Sequence, residues 1–335
     1  MSNEPVPLRL SRMITGLWIP QAIHAAAELG LPDALAEAPL AGAELAARLG
    51  THPDATERLC KALAFLDIVD DCDGRFALTD LGRGLRDGTP SGRRAWARLM
   101  CGAPVWQQWG ELVECVRTGR PAAGADPFGA MEREPARAAV FHQAMHDMTL
   151  DSAAGICDAL ELSGVRRVVD VGGGWGALLG AVLERAPEAE GVVFDLENAR
   201  DGALVYFERC GLASRAGFVV GNFLDEPPPP ADLYLLKSVI HDWDDAESQA
   251  ILASCRAAMA PGSRLCVIEP PAPAQRDRGL LGYFTAFSDL NMLVVVGGRE
   301  RSEAQYRALI ESCDLRVAAT RRTPGLYQVF EAIHG

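Results

Sequence analysis

From about residue 165 onward, short apolar runs alternate with longer amphipathic stretches. Strand-like runs fall at 167–171 (RVVDV), 191–195 (GVVFD), 217–220 (GFVV), 232–236 (DLYLL), 264–269 (RLCVIE), 315–319 (LRVAA) and 327–333 (YQVFEAI). Helical stretches separate most of them, and this alternation predicts a parallel sheet covered by helices on both faces. The pattern ahead of residue 160 is helical instead. Residues 11–36 read as helix, with Pro32 at a helix start where its missing N–H costs nothing. Residues 42–49 form a short helix closed by Gly50, and Pro53 opens another with Leu59, Leu63 and Leu66 on one face. Residues 68–69, a turn at 71–74 and residues 75–78 read as a hairpin. Helix, short helix, helix, hairpin is a winged-helix pattern. Residues 95–160 read as helical, broken at the Gly/Pro-rich stretch 119–129. The change of pattern places a domain boundary near 155–165, giving domains of 1–160 and 161–335.

Composition narrows the function. The 335 residues carry a formal charge of −13, which opposes a nucleic-acid phosphate backbone as the main partner. Residues 1–110 hold 11 basic and 13 acidic side chains, so the winged-helix-like half is not built for a DNA groove. The nine cysteines include no CxxC pair and suit reduced thiols in a cytoplasmic protein rather than a zinc site. No signal peptide is visible, and no run reaches the ~20 apolar residues of a membrane span. Of 32 basic residues only Lys61 and Lys237 are lysines, as a GC-rich coding style would write them.

The strongest local feature runs from Val168 through Asp170, Gly172, Gly173 and Gly174 to Trp175 and Gly176. A buried strand enters consecutive glycines and a helix follows, the turn that lets a nucleotide-like cofactor approach the main chain. Asp195 stands 23 residues after Gly172, at the end of the next strand, where a carboxylate can accept both ribose hydroxyls or simply cap a helix. Dinucleotides and adenosyl cofactors share both features, so these two leave the choice open.

Asn222 and Phe223 after the third strand, and the run Lys237, Ser238, Val239, Ile240, His241, Asp242, Trp243 after the fourth, go further. With these the chain resembles the S-adenosylmethionine-dependent small-molecule O-methyltransferases of the plant caffeate and bacterial polyketide type. The resemblance implies an α/β fold: a Rossmann-like class I methyltransferase domain behind a mainly helical, winged-helix-like dimerisation domain that contributes to the acceptor pocket. It implies S-adenosyl-L-methionine as cofactor, held by Asp170, Gly172, Gly174, Asp195, Leu196, Asn222, Phe223, Lys237, Ser238 and Trp243. It makes His241 the general base, with Glu269 and Glu300 supporting it, each expected to hydrogen-bond the imidazole. Asn222 departs from the family's usual aspartate, which removes a charge at the adenine. Met145, His146, Met148, Trp106, Phe287, Asp289 and Met292 become acceptor-pocket candidates, although each alone reads as core packing. A homodimer is implied, with a small aromatic or polyketide acceptor and neither nucleic acid nor membrane as partner.

Rival readings have their own features. His146 competes with His241 as base. His142 and His146 stand four apart on one helix face, but no third metal ligand accompanies them. A methyltransferase-like protein could use its cofactor for hydroxylation or rearrangement of a polyketide. A small-molecule-sensing regulator is opposed by the acidic N-terminal half. An NAD dehydrogenase leaves residues 237–243 and 297–301 unexplained.

Overall fold

The computed structural model describes residues 5–90, 92–123, 127–273 and 279–335, so part of the 119–129 break, residues 124–126, lies outside the described residues. The chain divides into two compact units, residues 1–106 and 107–335. The boundary drawn from the sequence near 160 marks where strands begin. The compact division lies earlier, because the helix Pro135–Asp158 packs on the α/β unit, burying Ile156 and Cys157 against Leu178, Leu179 and Val182.

The first unit follows the helical pattern with finer breaks. The stretch 11–36 is not one helix: Trp18–Leu29 ends at Gly30, whose positive φ of 69° forms a left-handed cap, and Leu31–Ala34 restarts behind it. The helices Gly42–Leu49 and Pro53–Ala64 form as expected. The hairpin Val69–Cys72 with Arg75–Leu78 gains a third strand, Leu40–Ala41, paired antiparallel to Arg75–Leu78. Leu31, Leu45, Cys60, Leu63, Val69 and Phe76 form its core.

In the second unit seven strands build one sheet: β1 (Arg167–Val171), β2 (Glu190–Asp195), β3 (Ala216–Val220), β4 (Leu233–Lys237), β5 (Arg264–Glu269), β6 (Leu315–Arg322) and β7 (Gln328–His334). Their order is β3-β2-β1-β4-β5-β7-β6. Side chains alternate between two helix-covered faces. Val168, Val193, Leu235 and Ile268 enter one core, while Val169, Phe194, Leu236 and Val267 enter the other. The sheet is not wholly parallel: β7 runs antiparallel to both β5 and β6. The β6–β7 link, residues 323–327, is too short for the crossover that a parallel pair needs. The strand order reverses between β1 and β4, and in such sheets the crevice at that point takes the ligand. Among the described residues no helix is long and apolar enough to cross a membrane.

Candidate active site

The glycine turn leaves the C-terminal end of β1. Gly172 has φ +67°, and a Cβ there would stand 2.9 Å from Val239 Cγ2. Only glycine lets the β1 and β4 loops meet this closely. The Gly174 N–H donates to Asp195 Oδ2 at 2.8 Å, and the Leu196 N–H donates to Asp195 Oδ1 at 2.7 Å. The carboxylate at the end of β2 is therefore locked to the glycine turn, and its remaining lone pairs can accept further donors. Asp170 is buried, and its Oδ2 has no hydrogen-bond partner. Burial pushes its carboxyl up to about 7, with the Lys237 ammonium pulling the other way. An orphaned buried carboxylate oxygen beside a glycine turn suits a cationic, hydrogen-bond-donating ligand.

The β4 loop supplies the second wall. Ser238 adopts φ +52°, a left-handed conformation uncommon for a residue with a side chain. The Lys237 Nζ lies 4.8 Å above the Tyr327 ring and donates to Ser238 Oγ at 3.4 Å. Ser238 Oγ and the Tyr327 hydroxyl are 3.2 Å apart. Burial works against the Tyr327 phenolate, but the Lys237 ammonium and the bond from Ser238 outweigh it and hold the phenol below its ordinary value. The sequence reading missed Tyr327; the antiparallel direction of β7 puts the residue just ahead of that strand at this end of the sheet. The Trp243 ring stacks on Phe128, with centroids 5.3 Å apart, and meets Phe223 edge-on at 5.9 Å. The Asn222 amide serves its own turn: Nδ2 donates to Asp225 Oδ2, and Oδ1 accepts the Leu224 N–H.

His241 sits at the centre of a carboxylate cluster. Its Nδ1 is 3.1 Å from Glu300 Oε1 and 3.7 Å from Glu269 Oε2, and its Nε2 is 3.6 Å from Asp242 Oδ1. Of the two glutamates expected to bond the ring, Glu300 alone does. Glu269 Oε1 instead accepts the N–H groups of Val239, Ile240 and His241, fixing the loop rather than the imidazole. Burial disfavours charge on His241, but Glu269, Asp242 and Glu300 outweigh it and raise the imidazole well above its ordinary range. Burial also opposes the Glu300 charge, yet its bonds to His241 and Ser288 hold its carboxyl low.

The loop that carries Glu300 is braced against the His241 loop. A Cβ on Gly298 would fall 2.2 Å from the His241 carbonyl oxygen, and the Arg299 N–H donates to that same oxygen at 2.8 Å. Arg301 is 2 % exposed and donates to Ile240 O and Trp243 O at 3.0 Å each and to Asp245 Oδ1 at 2.7 Å.

The acceptor-pocket candidates separate. Asp289 Oδ1 accepts the Glu300 N–H at 2.9 Å, so this exposed carboxylate anchors the Glu300 loop. The His146 ring packs edge-on against Tyr206 at 4.6 Å and near Trp175 at 5.8 Å, and burial lowers its pKa to about 4, too weak for a phenol's proton. His142 Nε2 is 2.8 Å from Asn198 Oδ1, so that ring is committed to a structural bond. Met145 and Met148 are half-buried on the helix Pro135–Asp158. Met292 is buried on the helix Leu280–Val295, whose Phe287 is half exposed. Trp106 closes the first unit and is partly exposed.

Residues 109–315 match the O-methyltransferase domain family, and residues 11–86 match the O-methyltransferase dimerisation domain. The chain belongs to the small-molecule O-methyltransferase family, and it is an enzyme that uses S-adenosyl-L-methionine. It is 33 % identical over 333 residues to a phenazine O-methyltransferase of Lysobacter antibioticus, covering 98 % of this chain and 96 % of that one. An aclacinomycin 10-hydroxylase of Streptomyces purpurascens is 36 % identical over 328 residues, covering 93 % and 85 %. Among solved structures, the O-methyltransferase of neocarzinostatin biosynthesis, bound to S-adenosyl-L-homocysteine and 1,4-dihydroxy-2-naphthoic acid, superposes with a TM-score of 0.81 at 31 % identity over the whole of both chains.

Proposed function

We propose that the enzyme methylates a phenolic or enolic hydroxyl of a small aromatic or polyketide-type metabolite, with His241 as general base. The carrying observation is the His241–Glu300 pair at 3.1 Å inside a cluster of three carboxylates. S-adenosyl-L-methionine supplies an electrophilic methyl group on a sulfonium. The residues that fit it are the glycine turn, Asp170 with its orphaned oxygen, Asp195 with Leu196, and the wall of Phe223, Lys237, Ser238 and Trp243. The protein's own task is to align the attacking oxygen, exclude water and take the proton.

A phenol has a pKa of about 10, far above that of an ordinary imidazole. Carboxylates that raise His241 bring donor and acceptor closer, so the transfer is less uphill. In this reading Nδ1–H donates to Glu300 and Nε2 receives the acceptor's proton. Glu269 and Arg301 hold the loop still while it does so. The same reading has the enzyme working as a cytoplasmic homodimer through its N-terminal unit.

The test uses S-adenosyl-L-methionine with 1,4-dihydroxy-2-naphthoic acid and a panel of simpler phenols, read by product mass. The expected result is a gain of one methyl group, lost by at least about 100-fold in His241→Gln while cofactor binding persists. Because the base must be neutral to act, kcat/KM should rise with pH, with its acid limb above the ordinary histidine value of 6.5. Unimpaired turnover by His241→Gln refutes the base assignment. The likeness to a 10-hydroxylase favours a second reading, non-methylating chemistry with the same cofactor, and products without the methyl mass would support it.

A further inference from the structure

Two donors converge on one oxygen of Glu300. His241 Nδ1 lies 3.1 Å from Oε1, and Ser288 Oγ donates to the same Oε1 at 2.6 Å. That second distance is at the short end expected for a hydroxyl bonded to an ionised carboxylate. A buried helical hydroxyl has an easier partner in the carbonyl one turn back, and other residues here take it. Thr149 donates to Met145 O at 2.7 Å, and Thr285 donates to Leu281 O at 2.9 Å. Ser288 lies on the helix Leu280–Val295 and reaches out to Glu300 instead. Asp289 beside it holds the Glu300 N–H, so one turn of this helix fixes both the backbone and the carboxylate of that residue.

We propose that Ser288 is a positioning residue for the base, which sets the polarity of the His241–Glu300 hydrogen bond; this rests on the reading of His241 as base. A buried carboxylate and imidazole can share protons in two ways. Either the carboxylate is ionised and accepts from Nδ1–H, or it is protonated and donates to a bare Nδ1. Only the first leads, on losing the Nε2 proton, to a neutral ring whose free nitrogen faces the acceptor. A hydroxyl hydrogen aimed at Oε1 stabilises negative charge on that oxygen and so disfavours the protonated carboxyl. Ser288 therefore keeps Glu300 an acceptor and Nδ1 a donor. Glu300 Oε2 is buried with no partner and offers no competing bond.

Other groups act on the same pair. Glu269 from β5 faces Nδ1, and Asp242 faces Nε2. Tyr306 couples to Glu269 and Glu300 from the helix Glu303–Glu311, Arg301 couples to Glu300, and Tyr327 couples to His241. None of these hydrogen-bonds Glu300 Oε1, the oxygen shared by His241 and Ser288, so the polarity falls to the serine.

The experiment needs no acceptor. Full-length protein labelled with 15N-histidine is titrated by NMR, and the His241 signals are assigned by their loss in His241→Gln. In the unaltered protein the Nδ1 resonance should stay in the hydrogen-bearing range on both sides of the His241 titration. In Ser288→Ala it should move toward the bare-nitrogen range at the acid end. Ser288→Thr should keep the original position and the similarly shaped Ser288→Val should lose it, which separates the hydroxyl from packing. In a Glu300→Gln background, Ser288→Ala should move nothing further. An Nδ1 resonance unchanged in both Ser288→Ala and Ser288→Val overturns the proposal. Failure of His241 as base would show in turnover instead, so the two outcomes are distinguishable.

Discussion

Arg301→Met is the sharpest probe of how the base loop is held. The arginine is 2 % exposed and spends its guanidinium on Ile240 O, Trp243 O and Asp245. Methionine keeps most of the apolar volume and removes every donor. The Asp245 carboxylate is 63 % exposed, so water replaces its partner and that bond contributes little. The two backbone carbonyls matter more, because Trp243 O keeps only a long bond from Ser248 Oγ at 3.4 Å, and Ile240 O keeps Ser248 Oγ and the Trp243 N–H, both at 3.3 Å. Hydrogen bonds to a charged group contribute about 1.5–3 kcal/mol each, and with partial replacement by those bonds the loss comes to about 3 kcal/mol. For a unit of this size that is roughly 6–12 °C in Tm. Differential scanning calorimetry reads the stability, and kcat reads the loop. Arg301→Lys keeps the charge but cannot reach three acceptors in one plane, so it should fall between. A Tm for Arg301→Met within about 1 °C of the parent, with kcat intact, would refute the idea that the guanidinium clamps the His241 loop.

Further outcomes follow from the same geometry. Gly298→Ala puts a methyl 2.2 Å from His241 O, so it should cut kcat by more than about tenfold and lower Tm, seen in paired kinetic and melting measurements. Asp195→Ala removes the acceptor at the end of β2 and should weaken S-adenosyl-L-homocysteine binding by at least about tenfold in calorimetric titration. Asp170 has a folded-state pKa of about 7 against 3.8 for the free residue, so the ligand-free fold holds a proton that the unfolded chain releases. Its contribution to stability should therefore fall by about 3 kcal/mol as pH rises from 4 to 7, and urea unfolding of Asp170→Asn should lack that component.

Much of the fold was legible because most strands are short apolar runs ended by a turn. Runs such as RVVDV and RLCVIE leave little other choice and match their strands end to end, whereas the run at 315–319 stops three residues short of Leu315–Arg322. The direction of β7 was not legible, since it depends on the shortness of a connection rather than on any apolar pattern. Leu40–Ala41 is too brief to show a period at all. The compact division at residue 106 hides for another reason: the helix Pro135–Asp158 looks like the helices before it, and only packing assigns it to the sheet. At the site, the motifs that resemble the family pointed to His241, Glu269 and Glu300. They did not say which carboxylate meets the ring, because that depends on whether the β5 end or the 297–301 loop stands nearer Nδ1. Ser288 carried no signal beyond being a polar residue on an apolar helix, and Asp289 suggested an acceptor-pocket residue rather than a partner for the Glu300 N–H.

The place of β7 in the middle of the sheet has a consequence for how the enzyme is made. Residues 328–334 lie between β5 and β6, and Val329, Phe330 and Ala332 are fully buried there. A ribosome that has delivered everything up to residue 327 has therefore delivered two strands with open, unpaired edges and a core still missing its filler. Those edges close only when this segment threads between them. The catalytic half cannot be assembled by increments, and nascent or clipped chains lacking this segment are the forms that chaperones and proteases will meet.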